Sequence, residues 1–171
     1  MKQPQLQYHE ALSCLVAACL PVEAYRCWRN AVLAMCHFPE MFATGYYHEG
    51  WIVVPLGPTI KVCEHGWCSL ADTRIDPSIV LITPPQQPVE YFSGMALSHA
   101  HLRQTLAGRT LPLVCHTDYG PDGMEHAGYK AAYDQAMKRA CDLATEQHLS
   151  PEAIHVCGKE PDDGWTILKM L

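Results

Sequence analysis

The sequence predicts an α+β fold in which a helix that starts at a cysteine packs on an antiparallel sheet, with further helices in the second half of the chain. Three observations predict it. Apolar residues recur at helical spacing in two short stretches before Pro39; three runs rich in β-branched and aromatic residues follow, broken by Pro and Gly; and a long amphipathic stripe lies near the C-terminal end. At 171 residues the chain has the volume of one domain, read as 1–171.

The first helix is expected from about His9 to Leu20, with Leu12, Leu15, Val16 and Cys19 on one face and Pro21 as its stop. A second helix begins near Arg26 or Cys27, carries Trp28, Ala31, Val32, Met35 and Cys36, and ends before Pro39. Strands are expected over Gly45 to Pro55, Thr59 to Cys68 and Arg74 to Thr83, forming an antiparallel meander. Pro84-Pro85-Gln86-Gln87-Pro88 can only be extended and reads as a linker or lid. The second half offers a helix from Gly94 to Gly108, a short strand from Leu111 to Cys115, and a glycine-rich loop through Gly120 and Gly123. A helix then runs from about Glu125 to His148, where Tyr129, Ala132, Tyr133, Ala136, Met137, Ala140, Cys141 and Ala144 form a core stripe. A last strand from Ala153 to Cys157 and the segment Trp165 to Leu171 are expected to close the sheet.

Composition excludes several classes. The formal charge is -6 and the twelve basic residues are scattered, so no clustered cationic surface is available to a nucleic-acid backbone. No run approaches the roughly 18 apolar residues needed to span a bilayer. Residues 11–20 have the length of a signal-peptide core, but Glu10 and His9 precede them and Lys2 alone supplies positive charge. Nine cysteines, an odd number, several inside apolar patterns, read as thiols in a reducing cytoplasmic compartment rather than a disulfide framework.

One constellation carries chemistry. Cys27 stands at a helix start, where the unpaired N–H groups of the first turn favour a thiolate and can hold an oxyanion. His65 lies in a strand pattern and points to the face opposite Glu64 and Gly66, the glycine admitting close approach. Asp76 follows on the next strand, where a carboxylate can take the imidazole N–H and fix its tautomer. In this order the three are nucleophile, base and orienter for attack on an amide carbonyl.

The segments Cys27-Trp28-Arg29-Asn30-Ala31, Tyr47-His48-Glu49-Gly50-Trp51, Glu64-His65-Gly66-Trp67 and Ile75-Asp76-Pro77 resemble the transglutaminase-like branch of the papain-like cysteine enzymes, bacterial members among them. The resemblance covers about residues 25 to 80. It implies acyl transfer from a peptide or small-molecule amide through a thioester, without a cofactor, with Cys27 as nucleophile, His65 as base and then acid, and Asp76 as orienter. It also places Tyr25, Asn30, Glu49, Trp51 and Trp67 at the oxyanion site and cleft. The sequence departs from the pattern in the oxyanion side chain: a Gln or aromatic residue is expected before the cysteine, and the candidates are Gln7, far away, and Tyr25, close by.

Two other readings stand beside this one. The same frame serves a catalytically inactive binding module, in which Cys27 is a buried structural thiol and Asp76 caps a turn at Pro77. Alternatively, Cys63, His65 and Cys68, with Cys115 or His116, would hold a structural zinc, although Cys63 and His65 share a strand face that Cys68 does not. His116 and Asp118 end a strand ahead of a glycine loop and read as solvated. Glu49 either lines the cleft or faces water, and water is the expectation.

Overall fold

The computed structural model describes residues 6–83, 88–106, 111–113 and 126–157. The elements run β1 (Gln7–Tyr8), α1 (Glu10–Cys19), α2 (Cys27–His37), β2 (Tyr46–Leu56), β3 (Thr59–Leu70), β4 (Thr73–Ile75), α3 (Ile79–Ile82), β5 (Glu90–Ser98), α4 (His99–Thr105), α5 (Ala127–Glu146) and β6 (Ile154–Cys157). The fold is α+β. Its sheet has the order β1-β4-β3-β2-β5, with β6 also paired to β3. The expectation of an antiparallel sheet holds for β4, β3, β2 and β5, but β1 joins β4 and β6 joins β3 in parallel, so the sheet is mixed.

The second edge of β3 positions the site. It pairs β6 over 60–63 and β4 over 68–70, so on this edge no strand among the described residues flanks 64–67, which pair only with β2 on the other. The start of α2 lies there. A Cβ on Gly66 would stand 2.8 Å from Trp28 Cδ1 and 2.9 Å from Trp28 Cα, so only a residue without a side chain lets the helix come this close.

The sheet is covered on both faces. Tyr47 and Cys68 meet the α2 core of Ala31, Val32 and Met35, while Trp51, Val53, Ile60 and Val62 on the same face pack under α5. Ile52 and Val54 face the other way and meet Ile79 of α3. Strand alternation places His65 on that second face.

Several expected elements differ. The run from Arg74 to Thr83 is a strand only over Thr73–Ile75 and then turns into α3, because Pro77 cannot donate to a ladder and the Asp76 carboxylate takes the Ser78 and Ile79 N–H groups at 3.0 and 3.1 Å. The helix expected over 94–108 begins only at His99, where Ser98 caps it by accepting from the His101 N–H. Residues 90–98 pair with β2 instead, and the register shift at Glu49/Gly50 leaves Gly94 as the extra residue of a bulge. That bulge seats α5, since a Cβ on Gly94 would stand 2.7 Å from Tyr129 Cα. Within α1, Leu15 and Cys19 are exposed and the inward line is Leu12, Ser13, Val16 and Leu20; Cys141 of α5 is exposed too, its place in the stripe taken by Leu143. Of the expected 111–115 strand, residues 111–113 are described and form no strand, while 114–115, 84–87 of the proline segment, the glycine loop, and the segment Trp165 to Leu171 lie outside the described residues.

Candidate active site

Cys27 opens α2, after a loop held by the helix's own side chains. Arg26 at the N-cap provides no side-chain cap. Instead, Asn30 donates from Nδ2 to the Glu23 carbonyl at 2.6 Å and accepts the Glu23 N–H on Oδ1 at 3.2 Å, while Arg29 Nη1 donates to the Pro21 carbonyl at 3.0 Å and pairs with Glu23 at 3.1 Å. Asn30 Nδ2 also donates to Ser78 Oγ at 3.0 Å, which ties the cysteine helix to the turn carrying Asp76. Fully buried and committed in this way, Asn30 is a positioning residue rather than the oxyanion or cleft group expected for it.

His65 and Asp76 form a buried pair. Nε2 of the ring lies 2.7 Å from Asp76 Oδ2, and Cys27 lies close enough to act on the same imidazole, whose remaining nitrogen is Nδ1. Burial works against charging His65, but the Asp76 carboxylate, the Cys27 sulfur and the hydrogen bonds from both outweigh it and push the imidazole up to about 10. Burial likewise opposes ionisation of Asp76, yet the His65 charge and hydrogen bond, the Tyr91 hydroxyl and the Ile79 N–H hold its carboxyl below the usual range. Asp76 Oδ2 accepts from Tyr91 at 2.9 Å, and the Asp76 N–H donates to Ser13 Oγ at 3.0 Å. Every oxygen of this carboxylate is therefore occupied, which keeps a buried charge tolerable.

Aromatic rings wall the pair. Trp67 lies nearly parallel to His65 at 6.4 Å and stacks on His48 at 5.4 Å, and Tyr91 meets both Trp67 and His65 edge-on. Arg74 sits 3.9 Å above the Tyr91 ring. His48 is held between the hydroxyls of Ser93 at 2.9 Å and Ser69 at 2.7 Å; burial, and secondarily Arg74, pull it down to about 4, so it stays neutral.

A cavity of about 290 Å³ opens beside the thiol, with Cys27, Trp28 and His65 on one side and Ile52, Val54 and Ile79 as an aliphatic wall. Tyr25 lines it too, 72% exposed and at a φ of 65°, its ring at the mouth. The Trp28 indole N–H is buried and has no acceptor among the described residues.

Three expected cleft residues do not line the cavity. Glu49 is neither solvated nor at this cavity: it is fully buried on the sheet face opposite His65, accepting the Tyr47 hydroxyl at 2.6 Å and the Leu113 N–H at 2.7 Å. Trp51 is a core residue set against Tyr133 at 4.8 Å and Tyr129 at 5.8 Å. Trp67 backs the His65–Asp76 pair rather than lining the cavity. Gln7 forms β1, the outermost strand beyond β4, and does not line the cavity. The sequence reading missed Tyr91, Ser13 and Ser78: Tyr91 of β5 and Ser13 of α1 reach Asp76 from other elements, and Ser78, in the turn itself, takes the Asn30 amide.

The zinc arrangement does not assemble as spelled. Cys63 and His65 share a face, but the Cys68 thiol turns the other way to the Ala31 carbonyl at 3.2 Å. Cys115, His116 and Asp118 lie outside the described residues, and among those described no group of three His, Cys, Asp or Glu could hold a metal ion. No described helix is long and apolar enough to cross a membrane. Comparison of the chain with protein-family models, with curated proteins and with solved structures found no match.

Proposed function

We propose that the protein is a cysteine-dependent amide hydrolase or acyltransferase of the papain-like, transglutaminase-like kind, working on a peptide or small-molecule amide in the cytoplasm. The observation that carries this is the single row Cys27, His65, Asp76, with the thiol at a helix start, the imidazole between thiol and carboxylate, and a cavity beside the sulfur. The Cys27 sulfur attacks the amide carbonyl carbon, the C–N bond breaks as imidazolium His65 passes its proton to the leaving amine, and an acyl thioester remains. His65 then takes a proton from water, giving hydrolysis, or from an amine, giving transfer. Asp76 orients the ring and stabilises its charged form.

The tetrahedral oxyanion falls near the first-turn N–H groups of α2, where the helix dipole favours negative charge. Trp28 supplies a second donor in this reading, because its buried N–H lacks an acceptor beside the same cavity. The aliphatic wall suits an apolar acyl side chain, which asks for no hydrogen bond.

The test is covalent capture. Fluorogenic amides carrying glycyl, alanyl, leucyl and glutaminyl acyl groups are incubated with the protein and quenched in acid, and the Cys27 peptide is weighed. An acyl adduct on Cys27, lost in Cys27→Ala and slower to form in Trp28→Phe, is the expected outcome. A protein that gives no adduct with these amides, and none with a peptide aldehyde, is the inactive module instead.

A further inference from the structure

Cys63 and Cys157 are direct register partners across the parallel pair β3 and β6, and both line the cavity that holds Cys27. Neighbouring strands lie roughly 4.7–4.9 Å apart, which puts the two Cα atoms inside the roughly 4.4–6.8 Å range a disulfide spans. Sharing a cavity, the two side chains leave the sheet on the same face, and neither is fully buried. From this juxtaposition we propose that Cys63 and Cys157 are a redox modification site, a dithiol that closes to a disulfide in the cavity wall and restricts access to Cys27.

The chemistry balances with a peroxide as oxidant. A cysteine thiolate attacks one peroxide oxygen, the O–O bond breaks, and the products are a sulfenic acid and, after protonation, water. The second thiol attacks the sulfenic sulfur, the S–O bond breaks, and a second water leaves as the S–S bond forms. Two thiols lose two electrons and two protons; one peroxide becomes two waters. Cys157 is the first to react: the hydrogen bond from Cys63, against burial and with help from the Lys61 ammonium, brings its thiol down to about 6. Cys63, pushed well up by its hydrogen bond to Cys157 and by burial, is the resolving thiol.

Closure has a structural consequence. A disulfide favours Cβ atoms about 3.8 Å apart, so the bond holds β6 against β3 and fixes both sulfurs in the cavity wall. Neither sulfur is fully buried, so the bond stays within reach of a reducing thiol, as a reversible device requires. This inference stands on strand register and does not depend on amide chemistry at Cys27.

The test uses the full chain with one equivalent of hydrogen peroxide, followed by non-reducing peptide mapping and by measurement of iodoacetamide labelling at Cys27. A Cys63–Cys157 cross-linked peptide is expected in the unaltered protein and in Cys27→Ser. The Cys27 labelling rate is expected to drop about tenfold on oxidation and to return with dithiothreitol, the reversibility of an accessible bond. In Cys157→Ser the peroxide effect on Cys27 should be absent. A map in which Cys63 or Cys157 pairs with another cysteine, or stays reduced while Cys27 oxidises, overturns the proposal. So does a cross-link that leaves Cys27 labelling unchanged.

Discussion

His65 and His48 sit on the same face of the sheet, either side of Trp67, and are driven in opposite directions. His48 falls to about 4 in the folded state, so between an unfolded value of roughly 6.5 and 4 the unfolded chain binds more protons and stability declines as pH falls. His65 rises to about 10, so its contribution is full below roughly 6.5 and is lost as pH rises from there to 10. Urea midpoints measured from pH 4 to 10 are therefore expected to decline on both sides of a near-neutral maximum, with the alkaline decline reduced in His65→Gln. A flat alkaline limb in the unaltered protein would contradict the charged pair. Asp76→Asn is expected to lower the His65 imidazole, read by NMR titration, and to slow acylation by roughly 10²–10⁴-fold, the range for general acid–base groups. Residue type and order in the sequence were enough to group Cys27, His65 and Asp76, which the structure brings together. Asn30, Glu49 and Trp51 were misassigned because a polar or aromatic residue in a motif does not reveal which sheet face or loop claims its side chain.

The approach of α2 to the open stretch of β3 depends on Gly66. Gly66→Ala would place a methyl under 3 Å from the Trp28 backbone, so the helix start must move. Overpacking of this kind costs roughly 1–3 kcal/mol, and a far larger fractional loss of Cys27 reactivity than of stability is expected, because a displacement of about 1 Å can cost 10²-fold in rate. Alkylation rate and denaturation midpoint, measured on the same sample, check it. Asn30→Ala cuts three hydrogen bonds at the preceding loop and to Ser78, with an expected loss of about 2–4 kcal/mol at roughly 1 kcal/mol each. The two helices and the β2–β3 hairpin were legible from periodicity and the Gly57-Pro58 turn. β5 was not: Met95, Ala96 and Leu97 are good helix formers, and the free edge of β2 overrode their propensity.

Two core clusters share one sheet face, one beneath α2 and one beneath α5, and the candidate site lies at the sheet edge on the opposite face, where α2 reaches across at Gly66. Separate cores let the α5 half be weakened without touching the thiol. Trp51→Ala, in the α5 cluster, is expected to destabilise by roughly 3–5 kcal/mol in a urea titration while the surviving folded fraction keeps its Cys27 labelling rate. The mixed character of the sheet was beyond sequence reasoning, since the two-residue β1 and four-residue β6 join in parallel through long-range pairing that leaves no local pattern.

Activation of Cys27 by His65 is decided by site-resolved iodoacetamide labelling between pH 5 and 9. Cys27 is 6% exposed and Cys141 is exposed at the surface, so accessibility alone favours Cys141. The expected order at low pH is the reverse, with Cys27 labelled faster than Cys141 and slowed in His65→Gln. Labelling of Cys27 that is slower than Cys141 throughout and indifferent to His65 would contradict it.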